Sequence, residues 1–118
     1  MNGRALENPA AIEYEGLFSV RYLEIGERQG TWGFTVTENH TIFISPRPHP
    51  HSHISDVEKV ETKDTLAEGY IHFDSNGKVR YVEIKPLYAR GNLGQRPQEE
   101  QEKISEAIRN VIKKKLNK

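Results

Sequence analysis

The sequence predicts an α+β fold, in which an antiparallel β-sheet of about five strands carries a C-terminal amphipathic helix packed on one face. Three observations support this class: short segments rich in β-branched and aromatic residues, an Asn-Gly pair between two of them, and helical spacing of apolar residues near the C-terminus. A chain of 118 residues has the size of one domain. We therefore expect a flexible N-terminal arm at 1–11 and a single α+β domain at 12–118.

The first half of the chain contains segments in which strand-favouring residues alternate with polar ones. This pattern predicts strands at 17–25, 31–37 and 40–45. Glycine-containing and Asn-containing stretches between them supply the turns. Residues 54–67 are compatible with either a helix or a short strand.

A hairpin is the clearest prediction, because Asn76-Gly77 separates strands predicted at 68–74 and 78–85. An even-length loop centred on this pair divides the side chains between two faces. The core face then holds Ile71, Phe73, Arg80, Val82 and Ile84. The opposite face holds Tyr70, His72, Asp74, Val79, Tyr81 and Glu83. A bulge of one residue would exchange these faces.

The C-terminal segment from Gln98 onward predicts a helix with one apolar stripe. The stripe consists of Ile104, Ala107, Ile108, Val111, Ile112 and Leu116. Such a stripe must be buried, and one face of the sheet is the simplest place to bury it.

The composition of the chain bears on its possible partners and on its location in the cell. Lys and Arg together number 17, as do Asp and Glu, so the formal net charge is zero and argues against nucleic acid as a partner. No apolar stretch is long enough to cross a membrane. No signal peptide is visible, which favours a cytoplasmic protein and leaves secretion without a signal open. The absence of cysteine excludes disulfides and thiolate ligands.

A histidine cluster lies in a proline-rich segment, where His49, His51 and His53 are spaced two residues apart. Proline favours an extended backbone, and residues two apart then point the same way. Imidazoles on one face suit a divalent metal or a proton-sensing site. The alternative is a solvated loop whose histidines bind nothing.

The run His51-Ser-His53, followed by Glu58, resembles the first motif of the cupins. In those β-barrel proteins the two histidines and the glutamate bind a divalent metal. The resemblance therefore implies a metal site at His51, His53 and Glu58. The family's opening glycine and its second motif are absent from this chain.

The polar face of the hairpin is a second candidate site, because His72 is expected to face Tyr81 with Glu83 nearby. A histidine and a carboxylate on a sheet could perform general acid–base catalysis, as in microbial ribonucleases, with His72, Tyr81 and Glu83 as catalytic candidates. The same face could equally bind a ligand or a protein, with Tyr70 and His72 as contacts. Ordinary strand pairing of these residue types is the plainer alternative.

The glycine-containing loop at 87–96 is the third candidate, because tyrosine and arginine on loops are frequent binding anchors. Its anchors are Tyr88, Arg90 and Arg96. No phosphate-binding or dinucleotide-binding glycine pattern is present.

Residues 51–92 also resemble a module of bacterial effector-like proteins and plant calmodulin-binding IQ-motif proteins. The features that carry the resemblance occur in the same order: His51-Ser52, Ala67-Glu-Gly69, Asp74-Ser-Asn-Gly-Lys78, Tyr88-Ala-Arg90 and a following helix. The module's Ser-Gly-His-Tyr-Arg-Pro signature is replaced here by Leu87-Tyr-Ala-Arg-Gly91. The resemblance implies a bacterial accessory or effector-associated protein and transfers no catalytic residue.

The function favoured by these features is that of a small non-enzymatic binding or regulatory domain with a protein partner, able to form a homo-oligomer and needing no cofactor. One alternative is a divalent-metal protein that uses His49, His51, His53 and Glu58. Another is a small ribonuclease-like toxin that uses His72 and Glu83.

The metal hypothesis predicts stoichiometric metal in purified untagged protein. Because a metal that binds only the folded state stabilises it, zinc, nickel or manganese should raise the melting temperature by several degrees and a chelator should lower it. The His51→Ala variant should lose the metal, whereas His72→Ala, outside the cluster, should keep it. Elemental analysis that finds no metal, together with melts that do not shift, would contradict the hypothesis.

Overall fold

The structure is a computed structural model that describes residues 13–23, 26–46, 58, 61–85 and 92–117. Within these ranges the chain forms one five-stranded sheet and one long helix, α1. The element bounds are β1 (Ser19–Tyr22), β2 (Thr31–Thr37), β3 (Thr41–Ser45), β4 (Thr65–Phe73), β5 (Val79–Ile84) and α1 (Gln98–Leu116). The α+β class, the number of strands and the C-terminal helix are as the sequence predicts. The predicted arm at 1–11 lies outside the described residues.

The sheet has the strand order β1-β3-β2-β4-β5 and is mixed, because β1 pairs with β3 in parallel. The other pairs are antiparallel. The predicted antiparallel sheet is therefore confirmed for these pairs, and the parallel pairing of β1 with β3 is a feature that the sequence did not predict. The reason is topological. β3 pairs antiparallel with β2 on one side, and β1 pairs with β3 on its other side. β1 and β3 therefore both run in the direction opposite to β2.

Local hydrogen bonds set several strand ends that the residue pattern placed differently. The predicted strand 17–25 is shortened to Ser19–Tyr22, because the amides of Leu17 and Phe18 donate to Tyr14 and Glu15 in a preceding turn. His40, predicted as the start of the third strand, lies in the β2–β3 turn with φ of 66°. At 54–67, the described part contains a 3₁₀ turn at Thr62–Asp64 and the first residues of β4.

The core lies between α1 and one face of the sheet. As predicted, the helix buries its apolar stripe, with Ile104, Ala107, Ile108, Ile112 and Leu116 buried and Val111 partly buried. The facing side chains of the central strands include Phe34, Ile44 and Ile71, which are fully buried. Burying an aliphatic or aromatic side chain of this size contributes roughly 1.5–3 kcal/mol, so this layer is the main source of stability.

The β4–β5 hairpin forms with a turn that differs from the predicted one. Of Asn76 and Gly77, only Gly77 has a positive φ (75°), and the loop is closed by a hydrogen bond from the Asp74 amide to the Lys78 carbonyl. Asp74 Oδ1 also accepts from the amides of Asn76 and Lys78, at 2.8 and 3.0 Å. The loop thus has an odd number of residues, in the manner of a type I turn followed by a glycine bulge.

A bulge at Arg80 restores the register that the odd loop would have shifted. Val79 is opposite Phe73, whereas Tyr81 is opposite His72, so Arg80 is the extra residue. Val79 is consequently buried and Arg80 is exposed, which reverses the predicted faces of these two residues. The predicted faces of the other paired residues of the hairpin are confirmed.

The helix also covers the outer edge of β5. The Arg109 Nε–H donates to the Val82 carbonyl at 3.3 Å, and the Val79 amide donates to Asn117 Oδ1 at 2.8 Å. Capping of edge backbone groups in this way blocks the addition of another strand. Within the described residues, no helix is long and apolar enough to span a membrane.

Gly69 allows β4 and β5 to approach each other closely. A Cβ at this position would overlap the Glu83 carbonyl oxygen and lie 2.9 Å from Phe34 Cζ. Because the obstructing Glu83 atoms belong to the backbone of a paired strand, they cannot move aside without disturbing the hairpin.

The Gly69→Ala substitution should therefore destabilise the protein by about 3 kcal/mol, through overpacking of a rigid site. Urea unfolding followed by the fluorescence of Trp32 measures the change. Gly16→Ala is the matched control, because a Cβ there would lie 3.7 Å from the Glu13 carbonyl oxygen, an ordinary contact. Equal unfolding midpoints for the two variants would show that the close approach is not a constraint.

Candidate functional site

The candidate site lies on the sheet face opposite α1, on the last two strands. Strand alternation places Tyr70 and His72 of β4 on this face, beside Tyr81 and Glu83 of β5. The sequence predicts that His72 faces Tyr81, and the register confirms this pair directly. We call Tyr70, His72, Tyr81, Glu83 and Lys85 the polar face.

An aromatic stack is the central feature of the polar face. The rings of His72 and Tyr81 are nearly parallel, with centroids 4.1 Å apart and an interplanar angle of 14°. Tyr81 is nevertheless 45% exposed, one of the largest exposures of a hydrophobic side chain in the described residues. The stack therefore holds an accessible aromatic ring in a defined orientation.

The His72 imidazole lies between a hydroxyl and a carboxylate. Its Nδ1 is 3.3 Å from Thr31 Oγ1, and its Nε2 is 3.5 Å from Glu83 Oε1. The second distance is within the range of an ion pair, but Nε2 makes no hydrogen bond of good geometry with the part of the chain that is described. The imidazole and the carboxylate are thus close to each other without being joined by a hydrogen bond.

Charged side chains continue the polar face along β5. Lys85 Nζ lies 3.7 Å from Glu83 Oε2 and 4.8 Å from the centre of the Tyr70 ring. The Arg80 guanidinium lies 5.8 Å from the Tyr81 ring centre. Partly exposed pairs of this kind add little stability, so these charges mainly determine what the surface can contact.

Two residues of this surface were missed in the sequence. Lys85 is two positions after Glu83, so strand alternation could have placed it on the polar face. Arg80 reaches Tyr81 only because of the bulge, for which the sequence gives no clear signal.

Arg96, predicted as a binding anchor, is held by carboxylates within the chain. It lies 3.1 Å from Glu38 Oε2 and 2.9 Å from Glu100 Oε1. These contacts join the β2–β3 turn to the first turns of α1. Its part in binding stays a prediction, and the contacts observed here are structural.

The other predicted sites fall largely outside the described residues. This holds for Tyr88 and Arg90 of the loop and for the histidines at 49, 51 and 53. Glu58, the remaining member of the metal hypothesis, has its Oε2 3.4 Å from Arg21 Nη1. The described ranges contain no group of three or more His, Asp or Glu side chains that could hold a metal ion.

No protein-family model, curated protein or solved structure matches this chain. The polar face therefore has to be interpreted from its own chemistry. It combines a rigid exposed aromatic ring, a histidine with a hydroxyl and a carboxylate beside it, and flanking charges of both signs. Such a surface can contact another protein, and its His–Glu pair can also accept a proton.

Proposed function

We propose that this protein is a non-enzymatic binding module that contacts a protein partner through the polar face. The observation that carries the proposal is the exposed Tyr81 ring fixed against His72 at 4.1 Å. Tyrosine is enriched among the residues that dominate protein–protein binding energy. A ring that is already ordered loses less side-chain entropy when a partner covers it.

The shape of the surface favours a protein over a small ligand. Small-molecule sites are usually concave and mostly apolar. The polar face is instead built on the regular backbone of two paired strands and exposes charged side chains beside the aromatic ring. Shallow grooves do occur elsewhere in the described residues, for example along α1 beside Glu15 and Lys115.

The charges on the polar face, together with that of the neighbouring Arg80, indicate the chemistry of a complementary partner. Lys85 and Arg80 are cationic, and Glu83 is anionic and less than 4 Å from both Lys85 and His72. A complementary partner would place an apolar side chain against the Tyr81 ring and acidic groups beside the flanking cations. Such mixed surfaces are typical of interfaces that form and dissociate.

The Tyr81→Ala substitution should weaken partner binding at least tenfold, because removing a central aromatic anchor commonly costs 2 kcal/mol or more, roughly thirtyfold in affinity. Tagged wild-type and variant proteins are compared for the partner they retain from an extract of the source cells, followed by titration with the purified partner. Tyr22→Ala is the matched control, since it removes a tyrosine of similar exposure (39%) from the other edge of the sheet. Equal retention by wild type, Tyr81→Ala and Tyr22→Ala would refute a role for the polar face.

Catalysis is the second candidate, favoured by the 3.5 Å separation of His72 Nε2 and Glu83 Oε1. We propose it as ribonuclease-like general acid–base chemistry. Wild-type protein should then cleave single-stranded RNA and arrest growth on expression. His72→Ala and Glu83→Gln should each lower the cleavage rate by about 10²–10⁴-fold. A rate that is unchanged in both variants, or no cleavage by the wild type, would eliminate this candidate.

A further inference from the structure

The two edges of the sheet differ in how their backbone groups are used. At β5, the outward carbonyl of Val82 accepts a hydrogen bond from Arg109, and the outward amide of Val79 donates one to Asn117. At the opposite edge, and among the described residues, β1 has a strand neighbour on one side only, which is β3. Of the two edges, β1 is therefore the one at which another strand could be added.

The outward groups of β1 belong to Val20 and Tyr22. The amides of Ser19 and Leu23 donate inward, to the carbonyls of His40 and Ile44, each at 3.0 Å. Because inward and outward backbone groups alternate along a parallel pair, the N–H and C=O groups of Val20 and Tyr22 point away from β3. These groups can pair with an incoming strand.

Exposed apolar side chains flank the same edge. Leu17 is 57% exposed and precedes β1, and Tyr22 is 39% exposed at its end. Partial burial raises the pKa of the Tyr22 hydroxyl above its ordinary value, although the nearby Arg28 charge lowers it. An open edge with apolar groups at both ends is the arrangement used in recognition by strand addition.

We propose that β1 pairs antiparallel with β1 of a second copy of this chain, with Val20 opposite Val20. This register places Tyr22 opposite Phe18 and Arg21 opposite Ser19. On the face of the sheet that packs against α1, Val20 then lies beside Val20 of the other copy, and Tyr22 lies beside Phe18. On the opposite face, the guanidinium of Arg21 lies beside the hydroxyl of Ser19 of the other copy. A register centred on Arg21 would place two guanidinium groups opposite each other, which is unfavourable.

The second copy is favoured over an unrelated strand because the edge is complementary to itself in this register. The chain also has no net charge, so two copies do not repel each other at long range. A strand of four residues buries much less area than a standard interface of about 1,600 Å². The dimer is therefore weak and reversible, and the fraction of the protein that is dimeric rises with protein concentration.

The test uses opposite charges at position 19, which is exposed and faces Arg21 of the partner copy only in the proposed register. Sedimentation equilibrium between roughly 10 µM and 1 mM covers the range of weak affinities. Ser19→Glu should tighten the dimer and Ser19→Lys should weaken it, each by roughly 3- to 10-fold, because the pair occurs twice by symmetry. Ser75→Glu and Ser75→Lys, in the exposed β4–β5 turn, should change nothing.

Val20→Pro supplies an independent test. It removes the outward N–H of Val20 while leaving the bonds from β1 to β3 in place, so it should abolish the dimer. The fluorescence of Trp32 reports whether each variant is folded. A wild-type protein that stays monomeric throughout the range would overturn the proposal. So would a dimer in which Ser19→Glu and Ser19→Lys have the same affinity.

Discussion

The burial of the apolar stripe of α1 against one face of the sheet is the constraint on which the other features depend. Ile104, Ile108 and Ile112 are fully buried there, against residues such as Phe34 and Ile71. Each such residue contributes more than a partly exposed ion pair does. The helix therefore decides which face of the sheet carries the main core. The polar face is what remains on the other side of β4 and β5.

The polar residues of the helix have a second effect, which is to organise the borders of the sheet. Arg109 and Asn117 cap β5, and Glu100 shares Arg96 with Glu38. Near its C-terminal end, Lys114 lies 2.6 Å from Glu15 of the N-terminal turn. One element thus fixes the core, protects one sheet edge and ties the preceding turns together.

The candidate site is rigid because each of its parts rests on regular structure. Gly69 permits the close approach of β4 and β5, and the register of the two strands places Tyr81 opposite His72. The neighbouring Glu83 and Lys85 follow by strand alternation on β5. A preorganised surface of this kind suits recognition, since ordering its side chains costs little when a partner binds. Its chemistry comes from a few side chains, and the stability of the fold does not depend on them.

Local patterns in the sequence were sufficient for β2 and α1, whose predicted extents agree with the structure, because hydrophobic periodicity within one element reflects the face that the element buries. The pairing of His72 with Tyr81 was also predicted, although for an incomplete reason. The even loop assumed for Asn76-Gly77 is odd, and the bulge at Arg80 cancels the resulting shift.

Only the tertiary structure decided the parallel pairing of β1, the position of His40 in a turn, the exposure of Arg80 and the ion pairs of Arg96. The pairing of β1 and the ion pair of Arg96 with Glu38 depend on contacts between residues far apart in the chain, whereas the His40 turn and the Arg80 bulge depend on backbone geometry within one connection. The sequence of a strand does not indicate which other strand it will pair with. The sequence around an arginine likewise does not indicate which carboxylate will form an ion pair with it. The sequence by itself determined the main elements and the apolar stripe of the helix, because both follow from periodicity within one element. The fold decided which edge is open and which polar side chains come together, because those outcomes follow from how the elements pack.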